Sequence, residues 1–316
     1  MWFLGIDTSN YTTSVAVYHS QTHEVRMRKK LLPVKDAACG LRQSDAVFLH
    51  VKQLAGLVEQ LMAEEQIPLT AIGVSATPRN AEGSYMPCFL VGTMVAQVLS
   101  SVLRIPLYTF SHQQGHIAAA LYSADCLDYL HRDFYAFHVS GGTTEALGVH
   151  ADGERMDITL LAQTLDLNAG QAVDRVGVML GLPFPCGQPL EQLALACTER
   201  VKGRAKLKGA DCCLSGLQNQ CETLYWQGKS KEYVARFCLE SIKNTIAAMT
   251  EALLREHGDK PIVYAGGVMS NSIIRAELER RFHGKFAAPT YSTDNSAGIA
   301  LLASIAHGQS ESGKNT

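Results

Sequence analysis

Two segments about 130 residues apart carry the same pattern, and that repeat constrains the fold more than any other feature. Residues Gly5 to Val17 run from an apolar stretch through Asp7-Thr-Ser-Asn-Tyr-Thr-Thr-Ser14 into a second apolar stretch. Residues Phe134 to Leu147 do the same around Ser140-Gly-Gly-Thr-Thr144. Each reads as a hairpin with a hydroxyl- or glycine-rich turn, so the chain is expected to be a duplicated α/β protein. The expected lobes are 1–130 and 131–316, the last helix (about 295–308) packing back on the first lobe.

Helical and strand patterns fill in each half. Ser44 to Glu64 places Val47, Val51, Leu54, Leu57, Val58 and Leu61 at helical spacing, with His50 as a packing residue. Val25 to Val34 and Ile72 to Ala76 read as strands and Cys88 to Leu103 as a helix. In the second half, Leu165 to Gly181 leads a helix, Pro183 to Pro189 is a tight loop, and Lys229 to Glu256 is a long helix. Pro261 to Asn271 is a buried strand ending in Gly266-Gly267, with a helix beginning near Asn271. Arg200 to Lys208 places cations at every second position, which predicts a solvated edge strand, with an RNA-backbone contact as the alternative.

The chemistry-bearing residues fall at strand ends. A strand from Ile105 to Phe110 meets Ser111, a good helix N-cap, and the helix it opens carries His112 and His116. Four residues apart, both imidazoles project from one face and are close enough to share a cation. Gln113 and Gln114 stand between them, so the general base of an H-E-x-x-H protease is missing, and a protease is excluded. The glycines of Ser140 to Thr144 let backbone approach a phosphate. Asp7 is placed to hold a metal or a water, and Asp294 precedes the last helix. Histidines with an aspartate suit a transition metal such as iron or zinc.

Composition narrows the class. Apolar residues make 47% and charged residues 18% of the chain, and no run of apolar residues is long enough to span a membrane. The N-terminus reads as a first strand, not a signal peptide. Nine cysteines without a C-x-x-C pair read as reduced thiols of a cytoplasmic protein. A net charge of −2 argues against a protein that coats nucleic acid, while leaving room for a local basic patch.

Taken together, these motifs resemble the TsaD family of tRNA threonylcarbamoyladenosine synthase subunits. That family was formerly described as O-sialoglycoprotein endopeptidases and lies within the actin/sugar kinase/Hsp70-like (ASKHA) superfamily. The resemblance rests on His112-x-x-Gly-His116, Val139-Ser-Gly-Gly142, Gly170-Gln-Ala-Val-Asp-Arg175, Leu214-Ser-Gly-Leu217, Gly266-Gly-Val-x-x-Asn271 and Thr293-Asp-Asn295. It implies a two-lobed ASKHA fold, with duplicated RNase H-like mixed-sheet lobes and a central cleft. It implies one divalent metal, iron or zinc, on His112, His116 and Asp294, with His138 as a further candidate ligand. Contacts to an adenine nucleotide (threonylcarbamoyl-AMP, AMP or ATP) are implied for His138, Val139, Ser140, Gly141, Gly142, Asp174, Gly187, Glu191 and Asn271.

The implied activity is transfer of a threonylcarbamoyl group from threonylcarbamoyl-AMP to a tRNA adenosine. Implied partners are tRNA and either TsaB-like and TsaE-like proteins or a second copy of the chain. Departures from the family pattern mark a divergent paralogue. Tyr11-Thr12 replaces an acidic pair, Gly40 to Asp45 and Pro78 to Gly83 replace two first-lobe loops, and Thr143 stands where the family has histidine. Two alternatives therefore stand beside the first reading: a related carbamoyl or acyl transfer to another acceptor, and a non-catalytic nucleotide-binding scaffold.

Overall fold

A computed structural model describes residues 1–9, 11–33, 41–63, 67–153, 155–291 and 296–312. The chain divides into two compact units. Unit 1 comprises Met1–His131, Ala151–Asp157 and Thr293–Thr316, and unit 2 comprises Arg132–His150 and Ile158–Ser292.

Unit 1 begins with strands β1 (Trp2–Ser9), β2 (Thr12–His19) and β3 (Val25–Leu31). Then follow α1 (Gln43–Met62), β4 (Leu69–Thr77), α2 (Phe89–Leu103), β5 (Leu107–Ser111) and α3 (His112–Ser123). The sheet order is β3-β2-β1-β4-β5, an antiparallel meander continued by two parallel strands. Alternate apolar residues of these strands (Leu4, Ile6, Val15, Val17, Ile72, Val74) bury against Leu54, Leu57 and Leu61 of α1 and Val91 and Ala96 of α2.

Unit 2 contains β6 (Phe134–Val139), all but the last residue of β7 (Thr144–Ala151), all but the first two of β8 (Met156–Gln163), α4 (Ala169–Met179) and α5 (Gly187–Leu195). It continues with β9 (Leu207–Lys208), β10 (Asp211–Cys212), α6 (Ser215–Trp226) and α7 (Lys231–His257). The last elements of unit 2 are β11 (Ile262–Ala265), α8 (Ser272–Phe282) and β12 (Lys285–Phe286). Its main sheet runs β12-β11-β6-β7-β8, with β6 and β7 antiparallel and β6, β11 and β12 parallel. The order from edge to edge repeats that of unit 1, so the duplication expected from the two hairpins is present in the topology. No helix among the described residues is long and apolar enough to cross a membrane.

The final helix, α9 (Ser296–Ser312), belongs to unit 1 and lies there at backbone contact. A Cβ on Gly5 of β1 would fall 2.1 Å from the Ser296 carbonyl oxygen. A Cβ on Gly298 would fall 1.9 Å from the carbonyl oxygen of Gly115 in α3. Small residues at these points let α9 sink against the sheet and α3 to a depth that no side chain permits.

Two expectations change. The eight-residue polar turn read at Asp7 to Ser14 is nearly all strand: Asp7 pairs with Ser14, Thr8 with Thr13 and Ser9 with Thr12. The hydroxyls of Thr8 and Thr13 are buried and paired within the unit. Thr8 Oγ1 donates to the Cys88 carbonyl at 2.9 Å, and Thr13 Oγ1 lies 2.8 Å from His50 Nδ1. β-Branched threonines are at home in a strand once their oxygens are paired. The packing role read for His50 holds, since it is fully buried.

The basic edge strand read at 200–208 survives only as β9. Before it, the backbone is fastened to α7, not to a neighbouring strand. The Gly203 carbonyl accepts from Asn244 Nδ2 at 3.0 Å and the Arg204 amide donates to Ser241 Oγ at 3.0 Å. Gly203 is so close to α7 that a Cβ would fall 2.2 Å from the Glu240 carbonyl carbon. With its polar groups satisfied by side chains of α7, this stretch needs no sheet partner.

Helix α6, which periodicity did not reveal, is held by a carboxylate distant in sequence. Asp166 accepts from the amides of Leu167 (2.6 Å), Leu214 (2.7 Å) and Ser215 (3.2 Å) and from Ser215 Oγ (2.6 Å). Partial burial pushes this carboxyl up, but those donors outweigh it and hold it below the usual carboxylate range. A depressed folded value stabilises the chain above the unfolded pKa, and that contribution is lost as pH falls through the folded one. Asp166→Ala is expected to cost about 1–2 kcal/mol at neutral pH, in line with other helix caps. The cost shrinks below about pH 4, where the parent loses the same bonds. Denaturant unfolding at the two pH values checks it.

Candidate functional site

In unit 1, β5 delivers the chain into α3 through a reciprocal cap. Ser111 Oγ accepts from the Gln114 amide at 3.2 Å while Gln114 Oε1 accepts from the Ser111 amide at 2.8 Å. Gln114 also donates through Nε2 to the Met156 carbonyl at 3.1 Å. The first turn of α3 is thereby fixed, and with it His112 and His116. Their ring centroids are 4.7 Å apart, as their spacing predicts.

Beneath them lies Asp7, only 1% exposed, whose Oδ1 is 3.0 Å from His112 Nδ1. Burial pushes the Asp7 carboxyl up, but the His112 imidazole beside it and the hydroxyls of Ser75 and Ser9 together outweigh this and hold the group below its ordinary range. A carboxylate is acceptor-only, so this contact holds the ring with its Nδ1 edge toward Asp7. This carboxylate–imidazole pairing is the arrangement that orients a histidine for metal ligation. The edge of the ring also packs on Phe89, 5.8 Å between centroids.

The donor chemistry therefore fits a divalent transition metal. Among the described residues no third His, Cys, Asp or Glu joins the pair as a ligand group. Asp294, the remaining ligand expected from sequence, lies outside the described residues. His138 is the last residue but one of β6 in unit 2, opposite Glu145 of β7 and Ala265 of β11.

Unit 2 holds all nine residues expected to contact a nucleotide, and five of them line one cavity. A cavity of about 590 Å³ is lined by Gly141, Asp174, Gly187, Glu191 and Asn271, together with Gly267 and Ser270. Its walls are braced from behind. Asp174 accepts from the Cys186 amide at 2.9 Å, Glu191 accepts from the Ser272 amide at 2.7 Å, and Asn271 Oδ1 caps α8 through Ile273 and Ile274. Its glycine walls are bare. A Cβ on Gly141, Gly187 or Gly267 would meet nothing within 4 Å, so packing does not demand glycine there and the backbone lies open to a ligand.

The other expected contacts stand apart from that lining. Val139 is fully buried in the core of unit 2. Ser140 Oγ is turned back on its own loop, accepting from the amides of Gly142 (3.3 Å) and Thr143 (3.2 Å). Those two amides are therefore already committed, which leaves bare backbone at Gly141 as the turn's contribution to the cavity. Gln188, Pro185 and Ser270 also line it and were not singled out from sequence. They carry no distinctive chemistry, and only the fold brings them there.

Known proteins place the chain. A family model described as "TsaD: tRNA N6-adenosine threonylcarbamoyltransferase" matches residues 40–301. The tRNA N6-adenosine threonylcarbamoyltransferase of Legionella pneumophila (strain Corby) is 29% identical over an alignment of 342 positions, covering 99% of this chain and 96% of its own. Among solved structures, the activator of the 2-hydroxyisocaproyl-CoA dehydratase from Clostridium difficile aligns at TM-score 0.55 and 11% identity. That match covers 100% of this chain and 98% of the other. A ROK family protein from Streptococcus pneumoniae TIGR4 aligns at TM-score 0.57 and 14% identity, over 98% of this chain and all of its own. At such identities the structural likeness is one of fold, and it agrees with an ASKHA-type α/β protein built from two five-stranded mixed sheets. Because the family model matches residues 40–301, well over half of its length, the chain belongs to the TsaD family.

Proposed function

We propose that this protein transfers a threonylcarbamoyl group from threonylcarbamoyl-AMP to the exocyclic amine of a tRNA adenosine, using one divalent metal, iron or zinc. The observation that carries the reading is the α3 pair: two imidazoles on one face, one of them oriented by a buried carboxylate. His112 and His116 would hold the metal, with Asp294 as a third ligand and His138 as a further candidate. When bound, the metal supplies Lewis acidity toward the acyl-phosphate anhydride. Bare backbone at Gly141, Gly187 and Gly267 cradles the AMP portion, with Asp174, Glu191 and Asn271 as its fixed polar wall. In the transfer the adenosine nitrogen forms a bond to the carbamoyl carbon and the bond from that carbon to the AMP phosphate oxygen breaks. AMP leaves, and the amine proton passes to solvent.

The test uses the purified chain, preformed threonylcarbamoyl-AMP and unmodified tRNA, with nucleosides read by mass spectrometry. Threonylcarbamoyladenosine that forms with the chain and disappears with a chelator is the expected result. Its absence with TsaB-like and TsaE-like proteins added overturns the reading. A second reading, transfer to another acceptor, draws on the Pro78–Gly83 loop. That loop contributes Asn80 to a cavity of about 470 Å³ in unit 1, also lined by Thr109, Gln114, Arg155 and Asp157. AMP release with unmodified tRNA favours it.

A protein partner is supported by α2. Leu90, Met94, Val98 and Val102 follow one another at four-residue steps and are 54, 55, 57 and 74% exposed, with Phe48 and Val51 of α1 also exposed. A continuous apolar stripe of this kind suits helix packing against a TsaB-like protein or a second copy. Val98→Glu is expected to weaken that association at least about tenfold, because a charge would be carried into the contact. Light scattering with and without partner measures it, and an unchanged mass distribution removes α2 from the interface.

A further inference from the structure

The stretch before β9 concentrates positive charge on one surface of unit 2. Arg200, Lys202, Arg204, Lys206 and Lys208 are five of the chain's 28 lysines and arginines, packed into nine residues of a protein whose net charge is −2. All five are exposed, while Val201 and Leu207 between them pack on the core of unit 2. The fastening of Gly203 and Arg204 to α7 holds this alternation in place.

The cations have no counter-ion among the described residues, since the nearby carboxylates are engaged elsewhere. Glu199 pairs with Lys229, Glu240 with Arg236 and Lys243, and Asp211 accepts from the Gln163 amide. Arg200, Lys202 and Arg204 also rim a cavity of about 340 Å³ whose remaining wall is Leu224, Tyr233 and Phe237. Charge at the rim and an aromatic, apolar wall are the two halves of a single-stranded nucleic-acid site: cations for successive phosphates, ring surface for a base or ribose. An anionic lipid surface has no use for a walled cavity of this size.

We infer that Arg200, Lys202 and Arg204 bind the phosphodiester backbone of RNA, with the adjoining cavity receiving a nucleoside. The inference rests on the tRNA reading above and adds to it a surface outside the metal and nucleotide sites.

The test measures tRNA binding by the full chain across a salt series. Wild type is set beside the triple variant Arg200→Gln/Lys202→Gln/Arg204→Gln and the charge-retaining Arg200→Lys/Arg204→Lys. The triple variant is expected to bind at least tenfold more weakly at low salt, with the log–log salt slope shallower by about two to three. The charge-retaining variant is expected to keep the slope, and equal melting temperatures show that each fold is intact. In the transfer assay the triple variant should raise KM for tRNA and leave kcat near that of the parent.

Equal affinity, slope and KM in the triple variant overturn the inference while the transferase reading stands. A slope that the substitutions do reduce, in a wild-type chain that forms no threonylcarbamoyladenosine, leaves this surface standing and removes the transferase reading. No tRNA binding by wild type at any salt, or binding only to anionic phospholipid vesicles, also overturns it.

Discussion

Replacing His112 with alanine is expected to lower threonylcarbamoyl transfer more than about 100-fold, exceeding the 10–100-fold typical of losing a residue behind a metal ligand. Metal content should fall with activity. The side chain is partly exposed, so removing it leaves no large cavity, but the buried Asp7 carboxylate loses its partner and the melting temperature should fall as well. Asp7→Asn gives the graded version. The amide still reaches the ring but no longer holds a negative charge beside Nδ1, so a loss of about 10–100-fold is expected. Metal analysis and single-turnover transfer, run on the same preparations, measure both effects. His112→Ala with full activity and full metal content would remove the proposed role of the α3 pair.

Gly298→Ala is expected to be the most destabilising single methyl the chain can receive in unit 1. The added carbon would fall 1.9 Å from the Gly115 carbonyl oxygen and 2.7 Å from the Ala119 amide nitrogen. Both are backbone atoms of a capped helix, so no rotamer change relieves the clash and α9 must lift. Overpacking of this severity costs about 3 kcal/mol or more. For a unit of this size the melting transition should fall by about 6–12 °C. With two units present, calorimetry should show the loss in one transition while the other stays in place. A single unshifted curve would mean that α9 can move aside freely.

Much of this was legible in the chain because local rules and global fold agree. The period-two runs flanking Asp7 and Ser140 gave the two hairpins, and the period of α1 gave its buried face. Ser111 before His112 gave both a helix start and a paired ligand face. The glycine-rich turn at Ser140 to Thr144 led to Gly141 and the family resemblance to Gly187, and both open on one cavity. Other features were hidden for physical reasons. The hydroxyls between Asp7 and Ser14 read as a turn because nothing local says that His50 and the Cys88 carbonyl will satisfy them. Alternating cations read as a strand, although the backbone partner is α7, some forty residues further along the chain. Helix α6 depends on Asp166, a partner that no window around residue 215 contains. The link from Asp7 to His112 crosses 105 residues, and the only local hint was an acid inside an otherwise apolar strand.

The glycine seats of α9 also bear on the order in which the protein can be made. Every residue of unit 2 lies between α3 and α9 in the chain. On the ribosome, unit 2 therefore has all its parts while the sheet of unit 1 still shows a naked slot at Gly5. Until α9 emerges, that slot is an apolar surface open to chaperones and to other nascent chains. A released chain truncated before residue 296 should thus show a protease-resistant unit 2 beside a protease-sensitive unit 1, although unit 1 was begun first.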